Sequence, residues 1–159
     1  MTGVPDHDDP PGGRATALAT RQAALVAALT SGAPVPPGFD PRLIEAARVA
    51  LLRKRAGEVA KQWPMLVAGI GPGWPREFAR WAASRPARGS LRDGWDLARE
   101  LAARDALPRL AGAELAAREA VLRYDGKTTP QVRRGPALRR VSGSIAVQLF
   151  GRVRVVARS

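Results

Sequence analysis

The sequence predicts an α+β protein that is mainly α, with an N-terminal helical bundle and a small C-terminal antiparallel β-sheet or hairpin. Up to about Tyr124, apolar residues recur three and four positions apart between Pro- and Gly-containing breaks, which is typical of helices. From Leu138 to Ala157, apolar and polar residues alternate with a period of two, which is typical of a half-buried sheet. We therefore expect a disordered tail over 1–13, a helical bundle over 14–125, and a basic loop with a small β appendage over 126–159.

The longest predicted helix lies between Phe39 and Pro64, and the other helices should pack along it. Asp40 and Pro41 form a strong start signal, because the Asp carboxylate can accept from free backbone N–H groups and Pro needs no donor there. Pro64 marks its end. The apolar stripe that should face the bundle comprises Val49, Leu52, Ala56, Val59 and Trp63. The basic residues on the remaining surface either form a solvated face or contact a partner; they are Arg48, Arg53, Lys54, Arg55 and Lys61.

Five further helical segments are predicted around it. They cover 15–30, a short turn over 65–70, 74–84, a helix that begins at Ser90, and an Ala-rich helix over 109–124. Ser90 and Asp93 have the spacing of a capping box. Trp74, Phe78 and Trp81 form an aromatic stripe, which indicates core packing and leaves base stacking as the alternative.

The alternation after Leu138 predicts one apolar and one polar, arginine-rich face. If the alternation continues without interruption from Leu138 to Ala157, the apolar face consists of odd-numbered residues, and Arg140, Arg152 and Arg154 fall at even-numbered positions. Gly143 and Gly151 are the predicted turns or bulges. Because so few strands are marginal alone, the apolar face should dock on the helices.

The net charge of +12 is concentrated towards the C-terminal part of the sequence. Residues 121–159 hold nine basic residues against Asp125 alone. Such a surface attracts anionic partners, which include nucleic acid, an acidic peptide or an acidic protein face.

The residue inventory lacks the groups of most catalytic centres. There is no Cys, and the one histidine, His7, lies in the predicted tail. We find no catalytic constellation, so we expect no enzyme activity, no cofactor and no metal site. No apolar run approaches the roughly 20 residues that span a bilayer, so we expect no membrane partner and a cytoplasmic location.

Four motifs between residues 63 and 90 occur in an order that resembles a known family. A long helix ends at Trp63-Pro64, and a Gly-containing loop over 69–73, an aromatic helix over 78–81 and an Arg-Pro segment over 85–90 follow. Over roughly 24–124, the sequence resembles the helical domain of the HvfC/BufC-type proteins, once described as DNA-binding, and it looks closest to an actinobacterial branch. These are partner proteins of multinuclear non-haem iron-dependent oxidative (MNIO) enzymes, which are TIM-barrel proteins that modify ribosomally made precursor peptides.

The resemblance implies a non-catalytic partner that binds an MNIO-type enzyme and helps to recognise the precursor peptide, with the C-terminal strands as the peptide platform. An acidic or extended peptide would suit a basic sheet with an exposed edge. Nucleic-acid binding is the alternative, and the net charge favours it. The candidate peptide- and partner-binding residues are Arg133, Arg134, Arg139, Arg140, Gln148, Arg152 and Arg154.

Overall fold

A computed structural model describes residues 11–133, 137–141, 144–149 and 152–157. It confirms the α+β class. The described residues form six α-helices and five strands, in the order α1 (Pro11–Ser31), α2 (Pro41–Gln62), α3 (Pro64–Ile70), α4 (Trp74–Ala82), α5 (Ser90–Ala103), α6 (Arg109–Val121), β1 (Leu122–Arg123), β2 (Gln131–Val132), β3 (Ala137–Val141), β4 (Ser144–Leu149) and β5 (Arg152–Ala157). No helix in these ranges is long and apolar enough to cross a membrane.

The structure confirms the start of α2 that the Asp40–Pro41 cap predicted. The backbone N–H of Arg42 donates to Asp40 Oδ1 at 2.8 Å, and Pro41 is the first helical residue. The buried face of α2 comprises Ile44, Ala56 and Val59, so it is narrower than the predicted stripe. Val49 is exposed, because the helices that contact α2, which are α1, α3, α4 and α5, leave this position uncovered.

An aromatic core joins α2, α4 and α5. Trp63, Phe78, Trp81 and Trp95 are all buried, which confirms the core interpretation of these side chains. Trp63 meets Trp95 edge to face, with ring centroids 6.0 Å apart. The indole N–H groups have acceptors in the interior: that of Trp63 donates to Leu91 O at 3.0 Å and that of Trp81 to Glu100 Oε2 at 3.0 Å.

The capping box predicted for α5 is wrong. Ser90 is the first residue of the helix rather than its cap, and Gly89 precedes it with a positive φ of 96°. The Asp93 carboxylate turns inward and accepts from the Arg88 backbone N–H at 3.1 Å and from Arg55 Nε at 2.7 Å. The Asp93 carboxylate, which the local spacing predicted to cap α5, therefore pairs with the Arg55 guanidinium instead.

The final helix ends three residues earlier than predicted, because Leu122 and Arg123 form β1, which pairs with β2. The other three strands form an antiparallel sheet in the order β3-β4-β5. This sheet packs against α6. The C-terminal strands therefore dock on the helical part through its last helix.

Candidate functional site

The predicted site is the β3-β4-β5 sheet, and α6 positions it. α6 presents small residues to the sheet, since Ala116 and Ala120 are buried against Ala146 of β4, with Val141 of β3 beside them. Alanines allow the backbones of a helix and a sheet to approach closely, so the sheet lies directly on the helix.

The strand register decides which residues share a face. Val141 pairs with Ser144, and Leu149 pairs with Arg152. Gly143 and Gly151, the predicted turns or bulges, lie outside the described residues. Paired residues share a face, and in each pair one residue is odd-numbered and the other even-numbered, so odd and even positions exchange faces from one strand to the next. We call the face that carries Ala146 the α6 face, and its positions are 137, 139, 141, 144, 146, 148, 153, 155 and 157. We call the opposite one the arginine face, and its positions are 138, 140, 145, 147, 149, 152, 154 and 156.

The observed register differs in one strand, β4, from the prediction that all odd-numbered positions share the apolar face. Arg140, Arg152 and Arg154 do share a face, as expected. Val147 was expected to dock on the bundle, but it pairs with Arg154 and so lies at an arginine-face position. The even-numbered positions of β4 are the ones that lie on the α6 face.

The other candidate residues are distributed over the sheet and its approach. Arg139 pairs with Ala146, and Gln148 pairs with Ala137 and Val153, so both occupy α6-face positions. Arg134 lies outside the described residues. The structure therefore brings together three of the seven candidates, Arg140, Arg152 and Arg154, on one face.

Arg133 caps the end of α6. Its Nε donates to Glu119 O at 2.9 Å and to Leu122 O at 3.2 Å, and its backbone N–H donates to Val121 O at 2.8 Å. Carbonyls at a helix C-terminus lack intrahelical donors, and a cation there also interacts favourably with the helix dipole. Arg133 thus helps to hold the segment that enters the sheet.

The loop before the sheet is anchored to α5. Arg88 Nη1 donates to Gly126 O at 2.8 Å, and Arg92 Nη2 donates to Lys127 O at 2.6 Å. The Tyr124 hydroxyl donates to Asp96 Oδ2 at 3.0 Å. Burial raises the pKa of Asp96 above its ordinary value even though the hydroxyl and neighbouring arginines oppose that rise.

Asp125 closes the turn at the start of this loop. Its Oδ1 accepts from the backbone N–H groups of Lys127 and Thr128 at 2.8 and 2.7 Å. These donors lower the pKa of Asp125 to about 2. Since these donors bind the ionised carboxylate more strongly than the protonated one, the negative charge of Asp125 stabilises the turn.

Sequence reasoning missed a set of arginine contacts inside the bundle. Arg55 was expected on a surface, yet its three nitrogens donate to Asp93, to Arg85 O at 2.7 Å and to Pro86 O at 3.2 Å. Arg118 lies over the Trp63 ring, 4.3 Å from its centroid, and donates to Gln62 O. These partners lie 30 to 56 positions away in the sequence, so no local spacing could reveal them.

Surface cavities occur in the described helical part. One, of about 350 Å³, lies between α1, α2 and the segment that leads into α5. Another, of about 280 Å³, is lined by charged side chains that include Arg85, Asp96 and Glu100. Across the described ranges, no three His, Cys, Asp or Glu side chains are grouped so that they could hold a metal ion. His7 lies outside those ranges.

Comparison with known proteins places the chain in a family. A family model described as "SCO6045-like, C-terminal domain" matches residues 19–103, which run from within α1 to the last residue of α5. The chain is also 37% identical over 123 residues to a "UPF0276 protein" of Streptomyces avermitilis, and this stretch is 77% of the chain and 25% of the relative. The chain thus spans about a quarter of that relative's length. No solved structure matches significantly.

Proposed function

We propose a function for this chain, which belongs to the family of SCO6045-like C-terminal domains: it is a non-catalytic partner that binds an MNIO-type iron-dependent oxidative enzyme and helps to recognise the enzyme's ribosomally made precursor peptide. The resemblance to the HvfC/BufC-type proteins is the origin of this proposal. The observation that carries it is the shared face of Arg140, Arg152 and Arg154 on a sheet whose other face packs against α6.

The relative from Streptomyces supports association with a larger protein. There, a stretch similar to this chain is a quarter of a longer polypeptide. Two units in one polypeptide stay at a high effective concentration, whereas the same units in separate chains need a binding surface. We infer that a unit of this type carries a surface that contacts the other part of such a polypeptide.

An extended peptide would bind by adding a strand to the sheet. In the described sheet, β3 and β5 each pair on one side only, so each has backbone donors and acceptors along its other edge. Arginines offer forked donors that match carboxylates. A peptide with acidic residues would therefore gain main-chain pairing at the edge and ion pairs at the arginine face.

The test is a double charge reversal, Arg152→Glu with Arg154→Glu. We expect capture of the precursor peptide to weaken by about tenfold or more, because two favourable charges become repulsive. The matched control is Arg42→Glu with Arg76→Glu, which changes the charge equally at two exposed helical positions. The measurements are co-purification with a co-expressed MNIO-type enzyme and fluorescence anisotropy of that enzyme's labelled precursor peptide.

Nucleic-acid binding is the second candidate, because the basic charge is densest over residues 121–159. A nucleic-acid complex should form without any protein partner, and its affinity should fall steeply with salt as phosphate counterions are released. A duplex-DNA titration at two salt concentrations measures this. If no enzyme complex forms, and tight DNA binding is abolished by the same Glu substitutions, the partner-protein proposal is wrong.

A further inference from the structure

The cavity of about 350 Å³ in the helical part is formed by three separate segments. Leu29 contributes from α1, Leu51 and Leu52 contribute from α2, and Ala87 and Gly89 contribute from the segment before α5. Its volume is at the lower end of the range for pockets that bind ligands or side chains in proteins. The surface exposed in the cavity is mainly apolar, although polar and charged residues also line it, so it favours an apolar occupant with a polar group at one end.

An ion pair that is largely shielded from solvent forms part of the cavity lining. Arg55 and Asp93 line the cavity, and their side chains are 13% and 1% exposed. Each Arg55 nitrogen donates to a protein oxygen, and both Asp93 oxygens accept from protein donors. The pair is therefore engaged internally, which disfavours an anion as the occupant and leaves the apolar walls as the attractive surface.

The rim of the cavity combines an exposed leucine with a cation. Leu51 is 43% exposed, and Lys54 also lines the cavity. Glu58 lines the cavity as well and pairs with Lys61 at 2.8 Å. Lys54 also attracts this carboxylate, but this lysine lies within none of the ion pairs formed by the described part of the chain. An apolar side chain in the cavity and a carboxylate opposite Lys54 would match this surface in both shape and charge.

The cavity and the basic sheet differ in their relation to the family. Every residue that lines the cavity lies between Leu29 and Asp93, inside the matched range 19–103. The β3-β5 sheet lies beyond that range. Of the two surfaces, only the cavity therefore lies within residues 19–103, the range that the family model matches.

We propose that this cavity is the docking site for the partner enzyme, which inserts an apolar side chain between Leu29, Leu51 and Ala87 and places a carboxylate next to Lys54. This inference rests on the proposed function and adds the location of the enzyme contact, separate from the peptide platform on the sheet. A helix of the partner laid along the groove beside α2 would present such side chains at helical spacing.

The experiment measures the affinity of the full chain for a purified MNIO-type enzyme, the one that the chain co-purifies with in the test of the proposed function. Leu51→Glu places a charge at the apolar rim, and Ala87→Phe fills the cavity without a change of charge; each should weaken binding by at least about tenfold. Lys54→Glu should weaken binding and also lower its sensitivity to salt. The matched controls, Leu110→Glu and Arg53→Glu, alter an exposed leucine and a neighbouring cation that do not line the cavity. They should bind as the wild type does.

The outcomes separate the inference from the proposed function. If the wild type binds the enzyme and both Leu51→Glu and Ala87→Phe bind equally well, the docking site is wrong while the partner function stands. If the wild type binds no enzyme, both proposals are wrong. If sedimentation shows that the wild type self-associates and that Leu51→Glu alone abolishes this, the occupant is a second copy of the chain and the docking proposal is overturned. Circular dichroism of each variant checks that the helices persist.

Discussion

Arg55 Nε donates to Asp93 Oδ2 at 2.7 Å and so joins α2 to α5, although 38 positions separate the two residues in the sequence. The same guanidinium binds the carbonyls of Arg85 and Pro86, which fixes the loop between α4 and α5. It also lies 5.7 Å from the centroid of the Phe78 ring. One arginine therefore connects two helices, a loop and the aromatic core.

Removal of the carboxylate should destabilise the fold strongly. Asp93→Ala leaves the Arg55 charge buried without a counter-charge, and we expect the free energy of unfolding to fall by about 3 to 5 kcal/mol. The control is Glu45→Ala, because Glu45 is an exposed partner of Arg48 and its loss should cost less than about 1 kcal/mol. Urea denaturation followed by circular dichroism measures both. Equal losses would contradict the role assigned to Asp93.

Gly94 and Gly57 should respond in opposite directions to the same substitution. A Cβ atom at Gly94 would lie 2.2 Å from a ring carbon of the buried Trp63, whereas one at Gly57 meets nothing within 4 Å. Gly94→Ala should destabilise by about 1 to 3 kcal/mol, because the packed ring must move. Gly57→Ala should stabilise by about 0.5 to 1 kcal/mol, because alanine loses less entropy in a helix. Thermal unfolding of both variants gives the two signs.

The turn at Asp125 should contribute stability that depends on pH. Because its folded pKa is lowered to about 2, below the unfolded value of about 3.9, its contribution is present above pH 4 and is lost as the pH falls through 2. Asp125→Ala should therefore destabilise at pH 6, and the difference from the wild type should shrink steadily from pH 5 towards pH 2. A difference that stays constant over this range would show that the carboxylate charge is not involved.

Asp96 should show the opposite dependence on pH. Burial raises its pKa in the folded state, so the protonated form is favoured on folding, and this contribution is lost as the pH rises through the folded pKa. Asp96→Asn cannot ionise, yet it keeps an oxygen that can accept from the Tyr124 hydroxyl. The stability of this variant relative to the wild type should increase between pH 3 and pH 7. Chemical denaturation at several pH values checks the sign.

The strand register predicts a difference between two valines. Val155 pairs with Ala146 and so occupies the α6 face, whereas Val147 pairs with Arg154 and occupies the arginine face. Val155→Asp places a carboxylate at the face that packs on α6, and it should destabilise by about 2 kcal/mol or more. Val147→Asp places it beside arginine positions and should cost clearly less. If a denaturation experiment showed that Val147→Asp destabilises more than Val155→Asp, the register of β4 described here would be wrong.

The sequence by itself determined the elements whose signals are local. The Asp40–Pro41 cap and the aromatic spacing of α4 act over three or four positions, so they predicted the start of α2 and the buried stripe of Phe78 and Trp81. The alternation from Leu138 to Ala157 predicted strands, and it placed Arg140, Arg152 and Arg154 together because β3 and β5 have the same parity.

Only the tertiary structure decided which polar groups meet and which way β4 faces. Asp93 has the local spacing of a cap, but a buried guanidinium from α2 binds it more strongly than a helix-terminal N–H would, and α2 reaches it only in the folded chain. The face of Val147 depends on the register between β3 and β4, which pairs odd with even positions while leaving the alternation within each strand unchanged. The cavity has the same origin, because its walls come from three segments that meet only when the helices pack.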